Sequence, residues 1–187
     1  MTYIRIFRGL ATRILAAALL LLLAITALAM AFASANGDTE PAKKEKVLFK
    51  PGADVTFEFF FVVPPGFHLG DEPLAAVSFD KKKIEKLPLT IKPLEYSWTR
   101  EELKAKAGES GHDQTTVAAK VPVKLDSKCA TGKLAIPAMV DVFYCNVVEG
   151  WCTSSHYDTA LAVTVSDDKK ALQKGSLKVT VVVTPEV

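Results

Sequence analysis

The stretch Asp54–Val63, DVTFEFFFVV, decides the fold. Val55, Phe57, Phe59, Phe61 and Val63 fall two residues apart, with Thr56 and Glu58 between the first of them. That is the period of a strand whose one face is buried. Pro64-Pro65-Gly66 follows and ends it, because proline cannot donate to a ladder and the Pro-Gly pair turns the chain.

Working outward from this strand, the same signals repeat. Val47–Phe49 precedes it. Pro73–Phe79 (PLAAVSF), Leu87–Ile91 (LPLTI), Thr115–Leu125 (TTVAAKVPVKL), Leu134–Tyr144 (LAIPAMVDVFY), Tyr157–Val165 (YDTALAVTV) and Ser176–Thr184 (SLKVTVVVT) follow it. Pro, Gly, Asp and Lys punctuate about eight strands in all, the spacing of an all-β sandwich or barrel. The one helical candidate is short, Trp98–Lys104, where Thr99 is followed three residues later by Glu102 in a capping-box pattern. The run Lys81-Lys82-Lys83 reads as a solvated turn. The chain has no internal repeat, no glycine-rich phosphate loop and no Gly-x-Ser-x-Gly elbow, which argues against a nucleotide-dependent enzyme or an α/β hydrolase.

The N-terminus speaks of export. Arg5, Arg8 and Arg13, with no acid among them, lead into the apolar run Ile14–Ala33, and Ala33-Ser34-Ala35 fits a signal-peptidase site. Residues 1–35 are therefore expected to be a signal peptide, with the mature chain starting near Asn36. The alternative is an uncleaved anchor, because the run is long enough to span a bilayer. In either case the arginines stay on the cytoplasmic side and the rest crosses. Residues 36–46, NGDTEPAKKEK, read as a flexible leader, and 47–187 as one domain. The whole chain has 23 basic and 21 acidic residues; without the three arginines of the targeting segment the balance is 20 against 21. A near-neutral domain with no basic stripe gives no electrostatic basis for binding nucleic acid. The membrane enters only through the N-terminal segment, if it stays uncleaved.

Three cysteines then carry the chemistry. Cys145 closes one strand candidate, Cys152 begins the strand that runs through Tyr157 to Val165, and NVVEGW lies between them. Antiparallel strands joined by a short loop bring opposite residues to about 4.5–5.5 Å between Cα atoms, within reach of a disulfide. A structural staple is one reading. So short a loop contributes only roughly 2–2.5 kcal/mol in the chain-entropy estimate, however, and a bond at a hairpin end is open to an incoming thiolate, which suits exchange. Cys129, in the polar turn DSKCATG, reads as a free thiol on a loop outside any redox couple. His68, His112, His156 and Met139 have no recognised metal spacing, and no metal or cofactor site is expected. His156 lies four residues beyond Cys152, on the same face of a regular strand, and reads as solvent-facing.

Three segments resemble a known family. They are VTFEFFFVVPPGFHLGDEPLAAVSF from Val55; YSWTREELKAKAG from Tyr96; and VPVKLDSKCATGKLAIPAMVDVFYCNVVEGWC, ending at Cys152. Together they are similar to the immunoglobulin-like N-terminal periplasmic domain of the thiol:disulfide interchange protein DsbD, found also in stand-alone disulfide-bond corrector proteins. The resemblance implies an immunoglobulin-like antiparallel β-sandwich in the periplasm, anchored to the inner membrane if the N-terminal segment is retained. It implies a thiol–disulfide interchange component, acting as a protein-disulfide reductase, whose Cys145–Cys152 couple passes electrons between thioredoxin-fold or membrane-embedded oxidoreductase partners. Attack would fall on Cys152, with Cys145 resolving the mixed disulfide. Glu101, Glu102 and Leu103 would stand where the family carries a cap over the pair, and Tyr144 and Trp151 flank it as shielding or docking aromatics. The loop here is one residue longer than in the interchange protein, Leu103 replaces the cap's aromatic, and no membrane part or thioredoxin domain is expected to follow. The alternative is a non-catalytic immunoglobulin-like module with a structural hairpin bond.

Overall fold

A computed structural model of the chain describes residues 47–71, 73–108 and 111–185. The expected signal peptide and leader lie outside them. No helix among the described residues is long and apolar enough to cross a membrane.

The alternating stretch is the middle of one long strand, β1 (Leu48–Val62), which also absorbs the separate Val47–Phe49 candidate. Val55, Phe57, Phe59 and Phe61 are all buried, each phenyl burial contributing about 1.5–3 kcal/mol. β1 changes partners along its length. Leu48 and Phe49 pair in parallel with Thr164 and Val165 of β10 (Cys152–Val165). After a register break between Phe49 and Asp54, the strand pairs in parallel with β11 (Leu172–Val182) and antiparallel with β8 (Ala119–Leu125). Gly52 sits in that break at φ +77°, where a side chain would be strained.

Beyond the corner, β10 pairs along its whole length with β9 (Gly132–Asn146). β9 carries β2 (Phe67–Leu69) and β3 (Ala75–Ser78) on its other edge, and β5 (Glu95–Trp98) follows β3. β4 (Leu89–Thr90) extends β8, while β6 (Ala105–Ala107) and β7 (Asp113–Thr115) form a small hairpin against β1. The sheet curls, and residues from both stretches, such as Phe57 and Val123 on one side and Val140 and Val163 on the other, share one core.

The all-β expectation holds, with two corrections. Among the described residues the strands number eleven rather than about eight, since β2, β5, β6 and β7 are too short to show a period. The sheet is mixed rather than antiparallel, because the first and last strands run side by side in the same direction. A parallel pair needs a long crossover, and here nearly the whole domain supplies it.

Two single-turn helices complete the described residues. α1 (Lys81–Ile84) replaces the expected lysine turn: Asp80 caps it by accepting from the Lys82 and Lys83 amides, and the lysines stay exposed. α2 (Arg100–Leu103) has the expected capping box between Thr99 and Glu102.

Candidate functional site

The β9–β10 hairpin brings Cys145 and Cys152 opposite each other, and they form a disulfide with 4.0 Å between Cα atoms. The turn is written locally. Asn146 Oδ1 accepts from the Val148 and Glu149 amides at 2.9 and 3.0 Å, and Gly150 takes φ +72°. The Asn146 amide donates to the Trp151 carbonyl at 2.8 Å, so residues 146 and 151 form a hydrogen-bonded pair. The cysteines, one step inward, therefore occupy a non-hydrogen-bonded pair, where opposing side chains come closest.

The two halves of the bond stand in different surroundings. Cys145 is buried, at 8% exposed, whereas Cys152 is exposed. β2 produces the difference: it lies along the edge of β9 with His68 opposite Cys145. Phe67 packs edge-on against both Tyr144 and Trp151, with ring centroids 5.8 and 6.0 Å apart. Tyr144 is fully buried and its hydroxyl accepts from Ser155 at 3.2 Å; Trp151 donates its indole N–H to Glu149. Beyond them, Val147 and Val148 project from the hairpin tip, Val148 at 84% exposed.

A side-chain clamp holds β2 in place. The Leu69 amide donates to Asp113 Oδ2 at 2.8 Å, and Arg100 donates to the Leu69 carbonyl. Arg100 also pairs with the buried Asp113 at 2.9 Å, and its amide donates to the Asp71 carbonyl at 3.0 Å. Carboxylate and guanidinium thus take the place of a neighbouring strand for the outer edge of β2. On its way out the chain passes so close to β9 that a Cβ on Gly70 would overlap the Phe143 ring. Sequence reading missed this clamp, since only the isolated acid Asp113 in a polar segment could have signalled it.

Glu101, Glu102 and Leu103, the residues expected to cap the pair, all lie on α2. Leu103 is 2% exposed and belongs to the core, so it anchors α2. The Glu102 carboxylate accepts from the Thr99 amide at 2.8 Å in the capping box, and Glu101 is exposed beside it. α2 reaches the disulfide region through Arg100 and β2.

Cys129 is free, as expected, but it is 5% exposed and packed in the core rather than lying on the surface. Its amide donates to the Asp126 carbonyl, a turn that leaves the side chain in the core. Burial, with the Asp126 carboxylate beside it, pushes its thiol pKa up. His156 is exposed and pairs with Asp141 across the strands, and His68 lies in β2. Among the described residues no three His, Cys, Asp or Glu side chains are grouped to hold a metal ion.

No protein-family model matches the chain, and no curated protein matches it.

Proposed function

We propose that the domain is a thiol–disulfide interchange module and that the Cys145–Cys152 bond is its reversible couple. The observation that carries this reading is the unequal exposure of the two sulfur-bearing residues at an open hairpin end. Exchange needs a thiolate to approach one sulfur in line with the bond it breaks. Cys152 offers that approach, and the buried Cys145, flanked by β2, serves as the leaving group.

A partner thiolate attacks Cys152 Sγ; the Cys145–Cys152 bond breaks, and Cys145 departs as a thiolate and takes a proton from water. The partner's second thiolate then attacks the mixed disulfide and releases Cys152. Two electrons have passed to the domain, and the partner holds the new disulfide. Running the steps in reverse against an oxidised acceptor passes the electrons on. Partners with a thioredoxin fold or an embedded membrane oxidoreductase fit this role. The DsbD-type periplasmic family, an immunoglobulin-like arrangement of the curled sheet, and export through residues 1–35 belong to the same reading, resting on the sequence segments quoted above.

Trapping tests it. Cys145→Ala should leave Cys152 able to form a stable mixed disulfide with a thioredoxin that keeps only its attacking cysteine, supplied as a disulfide with a small aromatic thiol that departs as the Cys152 thiolate attacks, visible by non-reducing electrophoresis and mass mapping. The potential of the parent bond should lie above about −300 mV, the region below which structural disulfides fall. A bond that resists reduced thioredoxin in the folded protein would assign it a structural role.

A further inference from the structure

The disulfide stands at one end of an open sheet edge. β10 is paired with β9 from Cys152 to Val165, but on its other edge it meets β1 only at Thr164 and Val165. From Cys152 to Val163 that edge has no strand partner among the described residues. The hydrogen-bonded pair at Asn146 and Trp151 sets the phase of the ladder. Counting inward from it, Cys152, Ser154, His156, Asp158 and Ala160 lie at non-hydrogen-bonded positions toward β9, so their N–H and C=O groups point outward. Pro137, opposite Ala160, fits this phase, because a proline there costs the β9–β10 ladder no donor.

Natural edges are blunted by proline, lysine, bulges or a covering element. This one has none of the first three: Cys152–Ala160 reads CTSSHYDTA, pairs without a register break, and all of it except Ser155 and Tyr157 is exposed. The far end of the same edge already accepts a strand, β1, which enters in parallel.

We infer that the outward edge of β10 is a strand-addition surface that seats an extended segment of the exchange partner beside Cys152. The proposal rests on the interchange reading and names how that partner is held. A strand added there pairs with the outward N–H and C=O of Cys152 and Ser154. It thereby fixes the partner's backbone within one residue of the sulfur to be attacked, and main-chain pairing needs no particular partner side chains. Small side chains at Thr153, Ser154 and Ser155 leave the approach open.

Proline at outward positions tests it, because it removes an edge donor while sparing the β9 ladder. In the purified full chain, Ser154→Pro and Asp158→Pro should slow reduction by reduced thioredoxin about tenfold, the loss of one or two intermolecular hydrogen bonds. Reduction by dithiothreitol, which has no backbone to pair, should stay within about twofold of the parent, and Ser154→Ala should match the parent with both reductants. Equal slowing with both reductants, or no slowing with thioredoxin, would overturn the edge proposal while leaving the interchange reading intact. A parent that thioredoxin does not reduce at all would sink the interchange reading itself. A parent dimer dissolved by Ser154→Pro, or faster exchange after deletion of residues 36–46, would assign the edge to a second copy or to that segment and overturn the partner assignment.

Discussion

Asp113 is the residue whose removal tells most about how Cys145 is covered. It is 5% exposed, and its Oδ2 serves both the Leu69 amide at 2.8 Å and the Arg100 guanidinium at 2.9 Å. Its Oδ1 is buried without a hydrogen-bond partner, so the carboxylate is under-satisfied even in the parent. Asp113→Ala strands the Leu69 donor and leaves Arg100 without its closest anion. Breaking a buried pair by removing one partner costs about 3–5 kcal/mol. Arg100 keeps 31% of its side-chain surface in contact with water and has Asp71 within 3.9 Å, so solvent screening lowers the expected loss to about 2–3 kcal/mol. Asp113→Asn still accepts from Leu69 and loses only the charge, an expected cost of about 1–2 kcal/mol. Urea unfolding followed by fluorescence should rank parent, Asn and Ala in that order with unchanged m-values. Amide exchange should accelerate at Leu69 first, because the clamp holds β2 and little else. In the reduced protein, iodoacetamide should label Cys145 faster in Asp113→Ala while Cys152 labelling stays the same. A loss below about 0.5 kcal/mol, the range of an ordinary surface substitution, or unaltered Cys145 labelling, would refute the clamp argument.

Two other outcomes follow from the cysteines. Cys145→Ala/Cys152→Ala should fold with the same circular dichroism and lose about 2–2.5 kcal/mol, the loop-entropy value for a bond spanning seven residues of sequence; failure to fold would contradict it. Cys129 should resist iodoacetamide in the native state at neutral pH and should leave the 145–152 bond untouched when changed to serine, both read by mass mapping. Its folded pKa lies above the ordinary 9.0, and that of Tyr96, raised by burial, above 10.0. Between the unfolded and folded values the native state holds more protons, so these groups favour folding fully below pH 9 and lose that contribution as pH rises through the folded pKa values. Denaturant midpoints that rise from pH 9 to 10.5 would count against this sign.

Strands long enough to alternate were legible from residue types. Val55 through Phe61 in β1, and Ala119, Val121, Val123 and Leu125 in β8, are buried as a period of two requires. The capping box at Thr99 and Glu102 and the cysteine hairpin were legible for the same reason: each is settled within a few residues by turn and cap chemistry that acts locally. The sequence by itself thus determined a β-rich domain and a short-range cysteine pair. Tertiary structure alone decided that β1 and β11 run in parallel, that Cys129 turns into the core despite the polar Asp126-Ser127-Lys128 before it, and that the three residues of β2 pair beside Cys145 and not Cys152. It also joined Asp113 to Leu69, 44 positions away, and left the outer edge of β10 from Cys152 to Val163 without a strand partner among the described residues. These features depend on which distant segments arrive side by side once the apolar faces are buried, and a three-residue strand or a lone buried carboxylate carries no periodic signal that local reading could detect.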